Sequence, residues 1–213
     1  MSILEKDCVL GSFSNTTKYI ELLEQSVAKF LPNILAIRYI GDGPVNVNMA
    51  HMREEFIKTG KRYWIYCDHD IQFLNSSIVL DALTTLVSNK GVGLVTVYSS
   101  HNPEYLERPY NAEGLTEGII PWSIGYFMLV DSDRTGDIIP DMTLPSPNYA
   151  IDVSFSIEVR RRGWDIAVSP NYDYHLNKGK QDDSFSEVTK EYFIKKYGQF
   201  YLNCYQPVSL NLA

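Results

Sequence analysis

The sequence predicts an α/β fold, a single domain with a mostly parallel central sheet flanked by helices. Three observations predict it. Short apolar runs alternate with segments of helical period through the first half of the chain, the pattern of parallel strands joined by crossover helices. One run, Tyr63-Trp64-Ile65-Tyr66-Cys67, is apolar at every position, as suits a strand covered on both faces. The runs also stop in turn chemistry, of which Gly41-Asp42-Gly43-Pro44 is the clearest case.

Taken in order, Cys8-Val9-Leu10 is a short first strand that stops at Gly11-Ser12. Ile20, Leu23, Val27 and Phe30 then recur three or four apart, the apolar stripe of a helix ended by Pro32. Leu35 to Ile40 is the second strand, and residues 47–59 form a helix with Met49, Met52 and Phe56 on one side and Gly60 at its exit. The strand from Tyr63 ends abruptly in Asp68-His69-Asp70. Ser77 caps a helix through Val87, striped by Val79, Leu83 and Leu86, and Val92 to Tyr98 is the next buried strand. Residues 99–121 are polar and turn-rich, a surface excursion of the kind used for lids and binding loops. Gly125 to Val130 is a strand, 131–150 is irregular, and a helix from Asp152 to Arg162 ends at Gly163. Trp164 to Val168 is a short strand stopped by Pro170. Ser184 and Glu187 suggest a capping box for a helix over 184–197 closed by Gly198, and the last fifteen residues read as a tail. The expected division is 1–183 as the main domain and 184–213 as a helix and tail packed on it.

Composition narrows the function. With 19 basic and 26 acidic residues the net charge is −7, so general electrostatic attraction to nucleic acid is not expected. Three widely spaced cysteines, Cys8, Cys67 and Cys204, make neither a disulfide scaffold nor a zinc knuckle, and they suit a reducing cytoplasm. No apolar stretch reaches membrane-spanning length, and the start lacks a signal-peptide pattern.

Asp68-His69-Asp70 is the most informative segment. Two carboxylates directly after a hydrophobic strand stand where open α/β sheets take ligands, outside the carboxyl ends of the strands. Carboxylates are also the hard oxygen ligands that magnesium and manganese prefer, often shared with substrate phosphates. The same string is common in plain loops. Asp42 has two readings: good turn chemistry between glycines, or an acceptor for a base or ribose at the same sheet edge. Asn15, after the first strand, is likewise a helix cap or a ligand contact. Asp152 opens a helix, where a carboxylate is favourable without any function, yet there it can serve as a general base. His175, among tyrosines beyond Pro170, is either an ordinary half-buried residue or a metal ligand. The run Arg160-Arg161-Arg162 is a solvated helix end placed well against the dipole.

In order and spacing these pieces resemble a glycosyltransferase of the A-type fold, closest to the inverting family 2. The resemblance covers roughly residues 6–178. It is carried by Cys8 to Asn15, Ile40-Gly41-Asp42-Gly43, Asn48 in the following helix, Tyr66-Cys67-Asp68-His69-Asp70, and Gly91 to Val95. In the second half it continues through Gly125 to Val130, Asp152 to Trp164 and Tyr172-Asp173-Tyr174-His175. It implies a metal-dependent enzyme that moves a sugar from a nucleotide diphosphate, UDP by default, to an acceptor hydroxyl with inversion. Phe13 and Asn15 would then line the nucleotide, Asp42 would contact the base, and Asp68 the ribose or metal region. Asp70 and His175 would hold Mn2+ or Mg2+, and Asp152 would be the base. Two departures stand out. The family's acidic pair is Ile151-Asp152 here, and its glycine-rich aromatic segment is blurred in Glu117-Gly118-Ile119-Ile120-Pro121-Trp122.

Acceptor recognition is expected from 99–121 and 137–147, with a glycan, lipid-linked glycan, protein side chain or modified base as candidates. Charge disfavours the last. Two rivals share much of this reading. A nucleotidyltransferase would place metal and carboxylates similarly, but 11–18 holds only one Gly and one Lys for its phosphate loop. A non-catalytic carbohydrate-binding module would use Trp122, Trp164 and the tyrosines for stacking.

Overall fold

Alternation along the central strands decides the architecture. Cys8 and Leu10 face one way and Val9 the other; Ile65 and Cys67 oppose Trp64 and Tyr66. Each face therefore buries its own apolar set, and the sheet lies between two helical layers. The computed structural model describes residues 3–14, 17–100, 118–120, 123, 125, 127–146, 148, 150–175 and 183–205. For 98–100, 118–120, 170–175, 183–186 and 204–205 it describes the backbone alone.

The elements run α1 (Ile3–Asp7), β1 (Cys8–Ser14), α2 (Ile20–Phe30), β2 (Leu35–Ile40), α3 (Val45–Thr59), β3 (Tyr63–Asp68), β4 (Ile71–Gln72), α4 (Ser77–Ser88) and β5 (Val92–Ser100). Then come β6 (Gly118–Ile120), β7 (Phe127–Asp131), α5 (Ser132–Thr135), α6 (Ile151–Arg161), β8 (Asp165–His175), α7 (Asp183–Tyr197) and α8 (Gln199–Tyr205). The strand order is β2-β1-β3-β7-β5-β8-β4, with β6 paired to β8. β1 lies parallel to β2 and β3, and β5 parallel to β8. β7 runs antiparallel between β3 and β5. The sheet is thus mixed: β7 runs reversed between two parallel groups that point the same way, and the short β4 and β6 also pair antiparallel with β8.

One face packs α2 and α4 through Ile20, Leu23, Val27, Val79, Leu83 and Leu86. The other packs α3, α6, α7 and α8 through Met49, Met52, Phe56, Phe155, Phe193 and Tyr201. Met49, Met52 and Phe56 are fully buried, as their spacing predicts. Asp131, itself buried, accepts bonds from Arg62 (Nη2–Oδ2 2.8 Å) and pairs with Arg134 (Nε–Oδ2 3.2 Å). Arg134 in turn reaches the carbonyls of Leu86, Asn89 and Val92, closing the C-terminal end of α4. Among the described residues no helix is long and apolar enough to cross a membrane.

Several expectations are corrected. β1 does not stop at Gly11 but runs to Ser14, because a side chain at Gly11 would collide with Met52 and Phe56 and glycine lets α3 seat directly on the strand. β8 does not stop at Pro170; pairing slips there from Val97↔Ser169 to Tyr98↔Tyr172, and the bulge takes the residue that lacks an N–H. α4 is capped by Asn75 instead of Ser77: its Oδ1 accepts from the Ser77 and Ile78 N–H groups at 3.0 and 3.3 Å. Part of the supposed tail, 199–205, is helical.

Candidate active site at the carboxyl edge of the sheet

β1, β2, β3, β5 and β8 all deliver their carboxyl ends to one edge. In register, Phe13 lies between Tyr39 of β2 and Asp68 of β3. Asp42 follows β2 in an exposed turn. That turn is held from α3: the Asn48 amide donates to the carbonyls of Gly41 (3.5 Å) and Gly43 (3.1 Å). Phe13 itself is buried, its ring edge-on to Tyr66 with centroids 6.4 Å apart, so it supports this edge by packing.

Asp68 ends β3 half-buried, and Asp70 is 4% exposed. Burial, then the neighbouring charges of Asp70 and Asp152, push the Asp68 carboxyl well above the usual carboxylate range. The charges of Asp70 and Asp152 thus both act on Asp68 at the end of β3. β7 enters the sheet from the same edge, pairing Phe127 with Cys67, so Gly125 falls beside the end of β3. α6 begins here as well, with Ala150 in the left-handed region (φ 57°) turning the chain into the helix. Burial raises the Asp152 carboxyl too, opposed by hydrogen bonds from the backbone N–H groups of Val153, Asp152 itself and Gly125. These donors favour the anion, which the first turn of the helix also stabilises.

His175 pairs through its backbone with Ile71, the residue after Asp70, so the topology brings the two positions together. Its side chain and the whole of Asn15 lie outside the described residues, as do 101–117, Trp122 and most of the expected acceptor loop. Trp164 is committed to the fold: it packs on Gly93 and under the Arg134 guanidinium at 5.5 Å. Sequence reasoning gave no role to Ser123 and Ser156, which bond to each other, or to the Gly125 N–H, which donates to Asp152. The available signal was a serine at the fourth position after Asp152, one turn along the same helix.

A divalent cation fits this donor set. Three carboxylates gathered in a poorly hydrated place repel one another unless a positive charge joins them. Among the described residues no group of three or more His, Cys, Asp and Glu is arranged to hold an ion by itself. One or two carboxylates are instead what magnesium-like ions use when phosphate oxygens and water complete the shell.

An α/β sheet with acidic residues at its carboxyl edge and a reversed strand between two parallel groups defines the class of fold, and solved structures specify it. Staphylococcus aureus TarS (residues 1–349) superposes with TM-score 0.60 at 12% identity, over 98% of this chain and 75% of that one. Glucosyl-3-phosphoglycerate synthase from Mycobacterium tuberculosis, solved with Mn2+, UDP-glucose and phosphoglyceric acid, gives 0.56 at 12% identity over 96% and 82%. Mannosyltransferase PcManGT from Pyrobaculum calidifontis, with GDP-mannose and Mn2+, gives 0.54 at 11% over 92% and 72%. No family model and no curated protein sequence matches the chain. The chain has the glycosyltransferase A-type fold.

Proposed function

We propose that this chain is an inverting, metal-dependent glycosyltransferase resembling family 2, using a UDP-sugar. The observation that carries the reading is the convergence of Asp68, Asp70 and Asp152 at the carboxyl edge, beside the turn that carries Asp42. The nucleotide sugars and Mn2+ named for the superposed TarS, synthase and mannosyltransferase structures support it by analogy of fold.

In this reading Asp42 accepts hydrogen bonds from the base, and Asn48 keeps its turn in shape. Asp68 would hold the ribose or metal region, and Asp70 with His175 would bind the ion. That ion, Mn2+ or Mg2+, would offset the charge that develops on the departing diphosphate. Asp152 takes the proton of the acceptor hydroxyl as its oxygen closes on the anomeric carbon. Attack from the face opposite the diphosphate inverts the configuration. Burial raises the basicity of Asp152, the N–H donors partly offset that rise, and the incoming hydroxyl becomes acidic only as its bond forms, so a carboxylate suffices as base. The acceptor is a hydroxyl-bearing molecule met by the segments 99–121 and 137–147. Buried reduced cysteines, Cys8 and Cys67, support a reducing compartment such as the cytoplasm.

The test is incubation with a panel of nucleotide sugars, with and without Mn2+. The expected product is free UDP from one UDP-sugar, dependent on the metal. Release of pyrophosphate from a nucleoside triphosphate and a sugar phosphate would favour a nucleotidyltransferase. Sugar binding with no turnover of any donor would favour a binding module.

A further inference from the structure

We propose that Ser156 and Ser123 are positioning residues for the Asp152 carboxylate, a role that rests on the reading of Asp152 as the base. Ser156 stands four residues after Asp152 on α6, one turn along the same helix face. It is fully buried and Ser123 is 1% exposed. The Ser123 N–H donates to Ser156 Oγ at 2.8 Å, the two hydroxyls meet at 2.9 Å, and the Ser123 hydroxyl also reaches Met128 Sδ at 3.3 Å. One helix turn thus grips the chain two residues before Gly125. Gly125 then lies so close to Asp152 that an added Cβ would stand 3.2 Å from its Cβ, Cγ and Oδ2, and its N–H donates to the carboxylate.

The logic is geometric. The segment entering β7 is pinned on its far side by strand pairing from Phe127 onward and on its near side by the serine pair. Between the two pins the Gly125 N–H points at Asp152. With the N–H fixed, the carboxylate keeps one rotamer, and the oxygen that receives the proton keeps one place. General-base catalysis loses about 10- to 100-fold when such a group is misplaced by about 1 Å.

Amide hydrogen exchange tests this without relying on turnover. In S156A the Gly125 amide should exchange at least about 10-fold faster, while the Val159 amide inside α6 keeps its wild-type rate. D152A, which removes the acceptor, sets the scale of that increase. S123A retains the backbone bond to Ser156 and should show a smaller effect, which also covers the case of a poorly folding S156A. In turnover, S156A should lose about 10-fold or more in kcat with donor KM unchanged, a split that general loosening of the fold would not produce. An unchanged Gly125 exchange rate in S156A, or wild-type kcat in both serine variants, would overturn the proposal. Failure of the wild-type chain to turn over any donor would overturn the proposed function instead, and the exchange measurement would still decide the positioning.

Discussion

Replacing Gly11 by alanine should destabilise the protein through a contact that the sequence hides. Gly11 sits mid-strand in β1, paired with Ile37 on one side and Tyr66 on the other. A Cβ there would stand 2.3 Å from Met52 Sδ and 2.4 and 2.5 Å from two Phe56 ring carbons. Non-bonded carbons settle at about 3.5–4.0 Å, so the overlap is about 1 Å or more against two side chains. Neither can retreat easily. Both are fully buried, and the Phe56 ring is wedged against Tyr66 and Trp64 at 4.9 and 5.7 Å. Helix α3 must therefore lift, and overpacking of this kind costs about 3 kcal/mol. The lift also carries Asn48 away from the Gly41 and Gly43 carbonyls, so UDP affinity should fall along with stability.

Urea unfolding of G11A, F56L and the double variant measures the effect. F56L alone should cost about 1–2 kcal/mol, and combined with G11A it should recover at least about 1 kcal/mol as a favourable coupling. A G11A midpoint within about 0.5 kcal/mol of wild type, or purely additive losses, would refute the reasoning.

Three further predictions follow from side-chain networks. Burial alone would raise the Asp141 carboxyl, but hydrogen bonds from Lys196, from the N–H and hydroxyl of Thr143, and from Tyr192 outweigh it and hold the group below its usual value. A lowered folded-state pKa contributes stability above the unfolded value of about 4 and loses it as pH falls through the folded value. D141N should therefore unfold about 1–2 kcal/mol more easily at pH 7, with the gap closing below about pH 4 in paired urea titrations. N48A should loosen the Asp42 turn and weaken UDP binding about 10-fold by calorimetry, with little change in the α6 end of the site. R134M should cost about 2–4 kcal/mol in thermal unfolding, since it removes a partner of the buried Asp131 and the donor to three carbonyls at the end of α4.

Much of the site's frame was legible because burial on two faces leaves a plain sequence trace. Tyr63 to Cys67 is apolar throughout, so β3 and the acidic segment after it could be placed from the residues alone. The Gly-Asp-Gly turn and the helix opening at Asp152 were visible for similar local reasons. The reversal of β7 was not. Phe127 to Val130 would suit a buried strand in either direction, and only its partners β3 and β5 fix which way it runs. Gly11 and Pro170 misled in opposite ways. One looked like a stop and is a close approach; the other is a true breaker absorbed in a bulge. Ser123 and Ser156 are 33 residues apart, a contact no local pattern encodes.

The most direct test of the central claim is the turnover of the best donor by wild type and D152N, measured beside calorimetric UDP affinity in the presence of Mn2+. Asparagine keeps the size of the side chain and an oxygen for the Gly125 N–H but cannot take a proton. Catalysis should fall by about 10²- to 10⁴-fold, while UDP affinity stays within about twofold of wild type. Near-normal turnover by D152N, or a product that retains the donor's anomeric configuration by NMR, would contradict the account.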